Sequence, residues 1–244
     1  MPYYRKKKDG FKKKAYVLMK TKEMPSKKPM KNFRGVANYK VKPEPFPRVL
    51  LTRMKFAWAD TITTAAADVS VVNAFRMNSI YSPDLTSGNR TTVGHATMLT
   101  IYERYWVMGA RVRISFNNAE HDGMRVGYRI LLDNNTGAFG QSVRQLSEQP
   151  LTYMDGINDS GSQKKTFQAY IKPWSLMGVS KLEYLANSST YSSSLGANPA
   201  AVNDCQIQVF MVHPTQAASS VRCNVQIVYD VKLYNRKSLV SSAI

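Results

Sequence analysis

The side chains in this chain that could do acid–base, nucleophilic or metal chemistry are few and far apart. The three histidines are His95, His121 and His213, and the two cysteines are Cys205 and Cys223. None of them has the paired spacing of a zinc site or a CxxC motif. A Cys–His pair could still be assembled in space, but buried thiols and solvated imidazoles are the simpler interpretation. Walker motifs and Gly-x-Gly loops are absent, so we expect no enzyme, no cofactor and no metal site.

The other candidate chemistry is the binding of a polyanion, because positive charge is concentrated at one end of the chain. The 244 residues include 34 Lys and Arg against 16 Asp and Glu, a net charge of +18. Residues 1–50 carry 16 basic residues against 3 acids, net +13, and residues 51–244 carry 18 against 13, net +5. This asymmetry indicates nucleic acid or an anionic membrane surface as the partner. The sequence shows neither a secretory signal nor a membrane span, so we expect a soluble protein made in the cytosol, with no membrane.

Residues 1–48 are predicted to form a flexible basic arm. A segment this charged buries too little apolar surface to offset the entropy lost on ordering. Basic runs of this density usually contact polyanions, although a merely solubilising tail is the alternative, and a nuclear import signal is a further use compatible with nucleic-acid binding. The nucleic-acid-binding candidates in the arm are Arg5, Lys6, Lys7, Lys8, Lys12, Lys13, Lys14, Lys20, Lys22, Lys27, Lys28, Lys31 and Arg34.

Two more candidates, Arg111 and Arg113, lie in the stretch WVMGARVRISF at residues 106–116. The alternation predicts a half-buried strand with two faces. The predicted core face is Trp106, Met108, Ala110, Val112, Ile114 and Phe116, and the opposite face is Val107, Gly109, Arg111, Arg113 and Ser115. We expect the two arginines to bind an anion, either phosphate or an acidic partner on a neighbouring subunit, with solvated surface charge as the alternative.

The rest of the chain from residue 49 is rich in strand patterns. The eight predicted strands begin near Leu50, lie within Asp68–Asn78 and at Trp106–Phe116, Met124–Leu132, Pro150–Met154, Lys165–Ile171 and Cys205–Met211, and end with Val221–Leu233. Short helices are predicted at Thr97–Tyr105 and Gln141–Glu148, and a long exposed loop at Asn187–Asn203. The Trp106 and Met124 strands could form a hairpin or cross between sheets. Without a strand–helix–strand rhythm or an internal repeat, an all-β antiparallel sandwich or barrel is favoured.

A block of about a sixth of the chain resembles the capsid proteins of small circular single-stranded DNA viruses that encode a replication initiator, the circovirus-like CRESS-DNA viruses. The block reads FRMNSIYSPD from Phe75, VGHATM from Val93 and YERYWVMGARVRISFNN from Tyr102. The matching positions are Phe75, Arg76, Asn78, Ser79, Tyr81, Pro83, Asp84, Gly94, His95, Met98, Tyr102, Tyr105, Val107, Gly109, Arg111 and Phe116.

This resemblance implies a domain at residues 49–244 that is a single eight-stranded antiparallel jelly roll. About sixty copies would form a small icosahedral T=1-like shell around a single-stranded DNA genome, with RNA as an alternative cargo. The implied location is the virion, after cytoplasmic synthesis and assembly in the host nucleus, and a host attachment factor is unknown. A non-viral nucleic-acid-binding β-sandwich with a basic tail is the alternative function.

Overall fold

The computed structural model describes residues 46–64, 67–68, 71–86, 90–118, 123–132, 142–158, 163–213, 215 and 219–237. These residues belong to one unit of the chain, Glu44–Ile244. Residues 1–45, and with them all the basic candidates from Arg5 to Arg34, lie outside the described residues. His121 also lies outside them.

The described residues form two antiparallel sheets. The strands are β1 (Leu50–Thr63), β2 (Val71–Arg76), β3 (Tyr102–Asn118), β4 (Met124–Leu132), β5 (Thr152–Ile157), β6 (Gln163–Ile171), β7 (Ser193–Ser194), β8 (Cys205–Val212) and β9 (Ser220–Arg236). Sheet A has the order β1-β9-β3-β6, with the two-residue β7 pairing β3. Sheet B has the order β2-β8-β4-β5. The prediction of an all-β antiparallel sandwich is therefore confirmed.

Consecutive long strands mostly alternate between the two sheets. β1, β3, β6 and β9 lie in sheet A, whereas β2, β4, β5 and β8 lie in sheet B. Among the strands of the described residues, β4 and β5 are the one consecutive pair that is hydrogen-bonded within one sheet. The connection from β3 to β4 thus crosses between sheets, which settles the alternative left open by the sequence. Eight long strands wound in this order make a jelly roll.

The core lies between the sheets and follows the predicted alternation closely. β9 pairs with β1 from Leu50↔Leu233 to Thr63↔Ser220 and with β3 along most of its length. The buried residues of these three strands include Met54, Phe56, Trp58, Ala110, Val112, Ile114, Phe116, Val221, Cys223, Val225, Ile227, Tyr229, Val231 and Leu233. Sheet B contributes Val126, Tyr128, Ile207, Val209 and Met211, among others.

A β-bulge corrects the predicted faces at the start of β3. The register with β9 shifts between Val107 and Gly109, so two residues of β3 oppose one step of β9 there. Val107 consequently belongs to the buried core cluster. Trp106 lies on the other side, where its ring stacks on that of Tyr234 at a centroid distance of 4.6 Å. The expectation that Trp106 and Met108 share the core face with Val112 was wrong, because one extra residue reverses the alternation.

The described residues include five short α-helices, whereas two were predicted. They are α1 (His95–Ile101), α2 (Val143–Ser147), α3 (Pro173–Leu176), α4 (Lys181–Ala186) and α5 (Ser188–Tyr191). α1 begins after Gly94, whose φ of 82° favours glycine, and ends before Tyr102, so the predicted extension to Tyr105 was wrong. α2 confirms the predicted turn and carries a capping box between Ser142 and Gln145.

The predicted exposed loop at residues 187–203 is more ordered than expected. It contains α5, β7 and a 3₁₀ turn at Ala201–Asn203. Leu195 is fully buried, and Ser192 and Ser193 are also buried. The predicted exposure holds for most of the segment, but Ser192, Ser193 and Leu195 turn inward.

The outer face of sheet B is covered, in contrast to that of sheet A. Leu146 of α2 packs with Phe210 and Val212 on that side. Beside them the Arg129 guanidinium is buried, and its Nε donates a 2.5 Å hydrogen bond to Gln208 Oε1. Every residue of β8 is buried as a result. Within the described part of the chain, much of the outer face of sheet A is exposed, including Arg53, Lys55, Arg111 and Arg113.

Replacement of Val112 by Asp tests the core assignment. The side chain is 3% exposed and lies on β3 between Ala169 and Ile227 of the neighbouring strands. An unpaired carboxylate here costs several kcal/mol, comparable with the roughly 5–15 kcal/mol that stabilises a typical domain. We expect insoluble protein or a lost thermal transition, whereas Ser115→Asp on the outward face should leave the melting temperature within a few degrees. A Val112→Asp protein of normal yield and melting temperature would show that this face is not core.

Candidate nucleic-acid interface

Arg111 and Arg113 are the two predicted site residues that the structure describes, and both project from the outer face of sheet A. They are exposed and lie on β3 beyond the bulge, while Val112 and Ile114 face the core. The predicted orientation of both arginines is thus confirmed. Their role in binding is not tested by their position alone.

The neighbouring strands add further cations to the same face. Since residues paired across antiparallel strands point the same way, the registers place these side chains beside one another. The outward-facing cations of sheet A include Arg53, Lys55, Arg111, Arg113, Lys164, Arg222 and Lys232. Among the described residues of these strands, Asp230 is the acid that faces the same way. We call this surface the basic face.

Arg111 is partly compensated within the fold by a carboxylate that it shares. Its Nη2 lies 3.1 Å from Oδ2 of Asp230, and Arg53 Nε lies 3.1 Å from Oδ1 of the same carboxylate. The Arg111 guanidinium also lies 5.3 Å from the ring centroid of Tyr170. One carboxylate therefore holds two arginines, and the Arg111 charge is shared between Asp230 and an aromatic face.

The side chain of Arg113, in contrast, has no hydrogen bond or ion pair with any described residue. It lies between two adjacent depressions of the basic face. The first has a volume of about 500 Å³ and is lined by Ala57, Trp58, Ala59, Arg90, Arg113, Ser115, Lys164, Asn224 and Gln226. The second has a volume of about 420 Å³ and is lined by Arg111, Val112, Arg113, Gln168, Ala169, Tyr170, Gln226 and Val228. Arg113 and Gln226 line both.

Sequence reasoning missed three residues of these depressions. Lys164 and Tyr170 lie on the outward face of β6. The alternation of that strand could have placed both residues there if the predicted strand had begun at Gln163 instead of Lys165. Arg90 comes from the connection before α1, which follows the edge of β1 and donates a backbone hydrogen bond from Val93 to the Lys55 carbonyl. No sequence pattern indicates that contact.

The residues considered for catalysis are used structurally. Both thiols are free and buried, as predicted, and burial raises the pKa of Cys205 to about 12 and that of Cys223 further. His95 and His213 are buried, so the expectation of solvated imidazoles was wrong for them. His95 Nε2 lies 2.6 Å from the Leu195 carbonyl oxygen. Within the described ranges no group of His, Cys, Asp and Glu is arranged to hold a metal ion, and none of their helices is long and apolar enough to cross a membrane.

Residues of the sequence block at 75–84 form a buried polar network instead of a reactive site. Arg76 Nε donates to Asp204 Oδ2 at 2.7 Å, and burial raises the pKa of that carboxyl although the arginine opposes the shift. Asn78 donates to the Asn203 carbonyl and accepts from the Cys205 backbone amide. These contacts hold Arg76 and Asn78 against the junction between the segment 187–203 and the start of β8.

A second set of contacts joins the same block to the N-terminal end of β3 and to the segment 187–203. Ser79 Oγ hydrogen-bonds Asn198 Oδ1 at 2.7 Å and lies 3.2 Å from the Tyr105 hydroxyl. The Tyr105 hydroxyl donates to the Ala197 carbonyl, and burial raises the pKa of Tyr105 to about 12. The block therefore positions a loop, and its polar residues need no external ligand to account for them.

No protein-family model and no curated protein matches the chain. Solved structures with a similar strand layout include tobacco necrosis virus, at 10% identity and a TM-score of 0.44, covering 79% of this chain and 85% of that one. The 60-mer BFDV capsid protein has 13% identity and a TM-score of 0.43, covering 77% and 94%. Mud crab tombus-like virus has 14% identity and a TM-score of 0.41, covering 80% and 95%. Likenesses at these values assign no function or partner to this chain.

Replacing each arginine by Gln separates their structural roles. Arg111→Gln removes one of two partners of Asp230, and partly exposed ion pairs contribute about 0.2–1 kcal/mol, so the melting temperature should fall by about 1–3 °C at low salt. The deficit should shrink in high salt. Arg113→Gln should leave the melting temperature unchanged, because this side chain has no partner among the described residues. Equal losses for both variants in a thermal scan would contradict this division.

Proposed function

We propose that the chain is the capsid protein of a small circular Rep-encoding single-stranded DNA virus. About sixty copies form a closed T=1-like icosahedral shell, and residues 1–48 bind the packaged genome. The observation that carries the proposal is the joining of an eight-stranded jelly roll to a segment with 16 basic residues in its first 50. The resemblance of residues 75–118 to coat proteins of these viruses supports it. The proposal involves no catalytic step.

The charge balance supports packaging by the arm. A net charge of +13 over residues 1–50, multiplied by about sixty copies, gives roughly 800 positive charges per shell. That number offsets much of a genome of about a thousand to a few thousand nucleotides, each with one phosphate. Because Lys and Arg contacts to phosphate carry no base information, packaging is independent of sequence, and RNA of similar length is an alternative cargo. Tyr3, Tyr4 and Phe11 add rings on which unpaired bases can stack.

The arm also suits the proposed route of the protein. Basic clusters at 5–8 and 12–14 have the composition of a nuclear import signal, so a subunit made in the cytoplasm enters the nucleus and meets the genome there. Once the arm is bound to phosphate, the same charges are neutralised. A non-viral β-sandwich with a basic tail is the second candidate function, and it differs in remaining unassembled.

Negative-stain microscopy of the purified full chain tests the shell. We expect uniform spheres, whose interior is stain-excluding when nucleic acid is present, and a ratio of absorbance at 260 to 280 nm above that of protein alone. Monomers at every salt concentration, with nucleic acid still bound, would support the non-viral module instead.

Deletion of residues 1–42 tests the arm. The compact unit begins at Glu44, so we expect the strand signal in circular dichroism to be retained. Nucleic acid per particle, measured by absorbance and by gel after protease treatment, should fall severalfold or more because most of the phosphate contacts are removed. Packaging at the level of the intact chain would show that the main genome contact lies elsewhere.

A further inference from the structure

We propose that the two depressions on the basic face together bind one nucleotide unit of single-stranded nucleic acid. The phosphate lies in the first depression among Arg90, Arg113 and Lys164, and the base lies in the second against Tyr170. This inference rests on the proposed function only in that the packaged genome is the source of the strand. The site itself is a property of the folded subunit and is separate from the arm.

The first depression is shaped and charged for a phosphodiester group. Ala57 and Ala59 are small residues of β1 that leave a hollow, because the side chains around them are long. Arg113 and Lys164 line one side and Arg90 lines the other, and no acid lines this hollow. The hydroxyl of Ser115 and the amides of Asn224 and Gln226 supply neutral hydrogen-bond donors. Convergent cations favour an anion where, among the described residues, no carboxylate lines the hollow and none pairs with the Arg113 side chain.

The second depression suits a base. Tyr170 is 49% exposed and is held close to the sheet, since a Cβ at Gly109 would lie only 2.5 Å from its hydroxyl oxygen. Val228, which faces outward on β9 opposite Arg111, adds apolar surface beside the ring. The Arg111 guanidinium, with its charge balanced by Asp230, offers a second planar group near the tyrosine. Stacking on such surfaces tolerates any base.

The spacing of the two depressions matches a nucleotide. Arg111 and Arg113 are two residues apart on one strand face, a separation of about 7 Å. A phosphate beside Arg113 therefore leaves its own base or the adjacent one within reach of Tyr170. Gln168 and Gln226 are the polar groups nearest that base, and flexible amides can satisfy more than one base edge. We therefore expect little sequence preference.

A photo-crosslinking experiment on the full chain tests the site. The probe is a thymidine hexanucleotide that carries one 5-iododeoxyuridine, which reacts with aromatic side chains stacked on it. After irradiation and trypsin digestion, we expect mass spectrometry to find probe on the peptide of residues 166–181, which contains Tyr170 and is not cut at Lys172 because Pro173 follows it, as well as on arm peptides. Arg113→Gln and Lys164→Gln should each lower labelling of the Tyr170 peptide about tenfold, the effect of losing one phosphate contact, without changing arm labelling.

Arg144→Gln is the matched control for charge. This arginine is exposed on α2, on the other sheet, and pairs with Glu148, so its loss should leave Tyr170 labelling unchanged. Melting curves of all variants show whether each is folded. Tyr170→Leu should remove the crosslink from the 166–181 peptide, which shows that Tyr170 is the attachment site and not Phe167 or Trp174 of the same peptide.

Three results would overturn the proposal. The first is labelling confined to arm peptides, and the second is Tyr170 labelling that is unchanged in both Arg113→Gln and Lys164→Gln. The third is loss of particles in Arg113→Gln with labelling unchanged. That third result would make the basic face a contact for an acidic surface of a second copy. Failure of the proposed function gives a different pattern. Tyr170 labelling without shells in microscopy would sustain the nucleotide site and refute the shell, whereas shells without such labelling would refute the site alone.

Discussion

The two-residue repeat of β9 is the constraint on which the rest of the domain depends. Its odd-numbered residues from Val221 to Leu233 are buried against sheet B, so its even-numbered residues must point outward. Since β9 is hydrogen-bonded to both β1 and β3, their faces take the same orientation. Burying the apolar side of three strands thus gathers the cations of all three on the other side. The core and the basic face have one cause.

Such a concentration of positive charge is tolerated because it is exposed to water and salt. Cations on adjacent strands repel one another, and Asp230 offsets only Arg53 and Arg111. The remaining repulsion between these cations destabilises the folded state more than an extended chain, because folding brings the cations of adjacent strands together. A polyanion that binds the face relieves that repulsion, so its binding also stabilises the fold. Arg113 has no ion pair in the described part of the chain, whereas Arg111 pairs with Asp230, so Arg113 is the better anion ligand of the two.

Strands with unbroken alternation could be predicted from sequence, and features that depend on contacts could not. Leu50, Met124 and the Val221 stretch were correctly placed because each apolar face is continuous over several residues. The bulge at Val107–Gly109 was missed, because the residues on both sides of it fit one continuous apolar alternation in the sequence. Gly109 was the one local sign of a bulge. Helices α3 to α5 span four to six residues, too short to show a period. Arg90 reaches the basic face through the backbone contact of Val93 with β1, which no local pattern encodes.

The sequence block at 75–84 and the residues proposed to bind nucleic acid do separate jobs, and this separation follows from burial. Arg76 is mostly buried and its guanidinium is committed to Asp204, whose other oxygen Oδ1 is buried without a hydrogen bond in the described structure. Removing Arg76 would leave the Asp204 carboxylate buried without a cation, so the stability of the fold is enough to require this arginine. Arg113 and Lys164 are exposed, and their loss leaves no buried group unpaired. A sequence motif therefore identifies residues that hold the jelly roll together. Residues that bind a polyanion without sequence preference need only the right charge and position. Their positions become clear once the pairing of the strands is known.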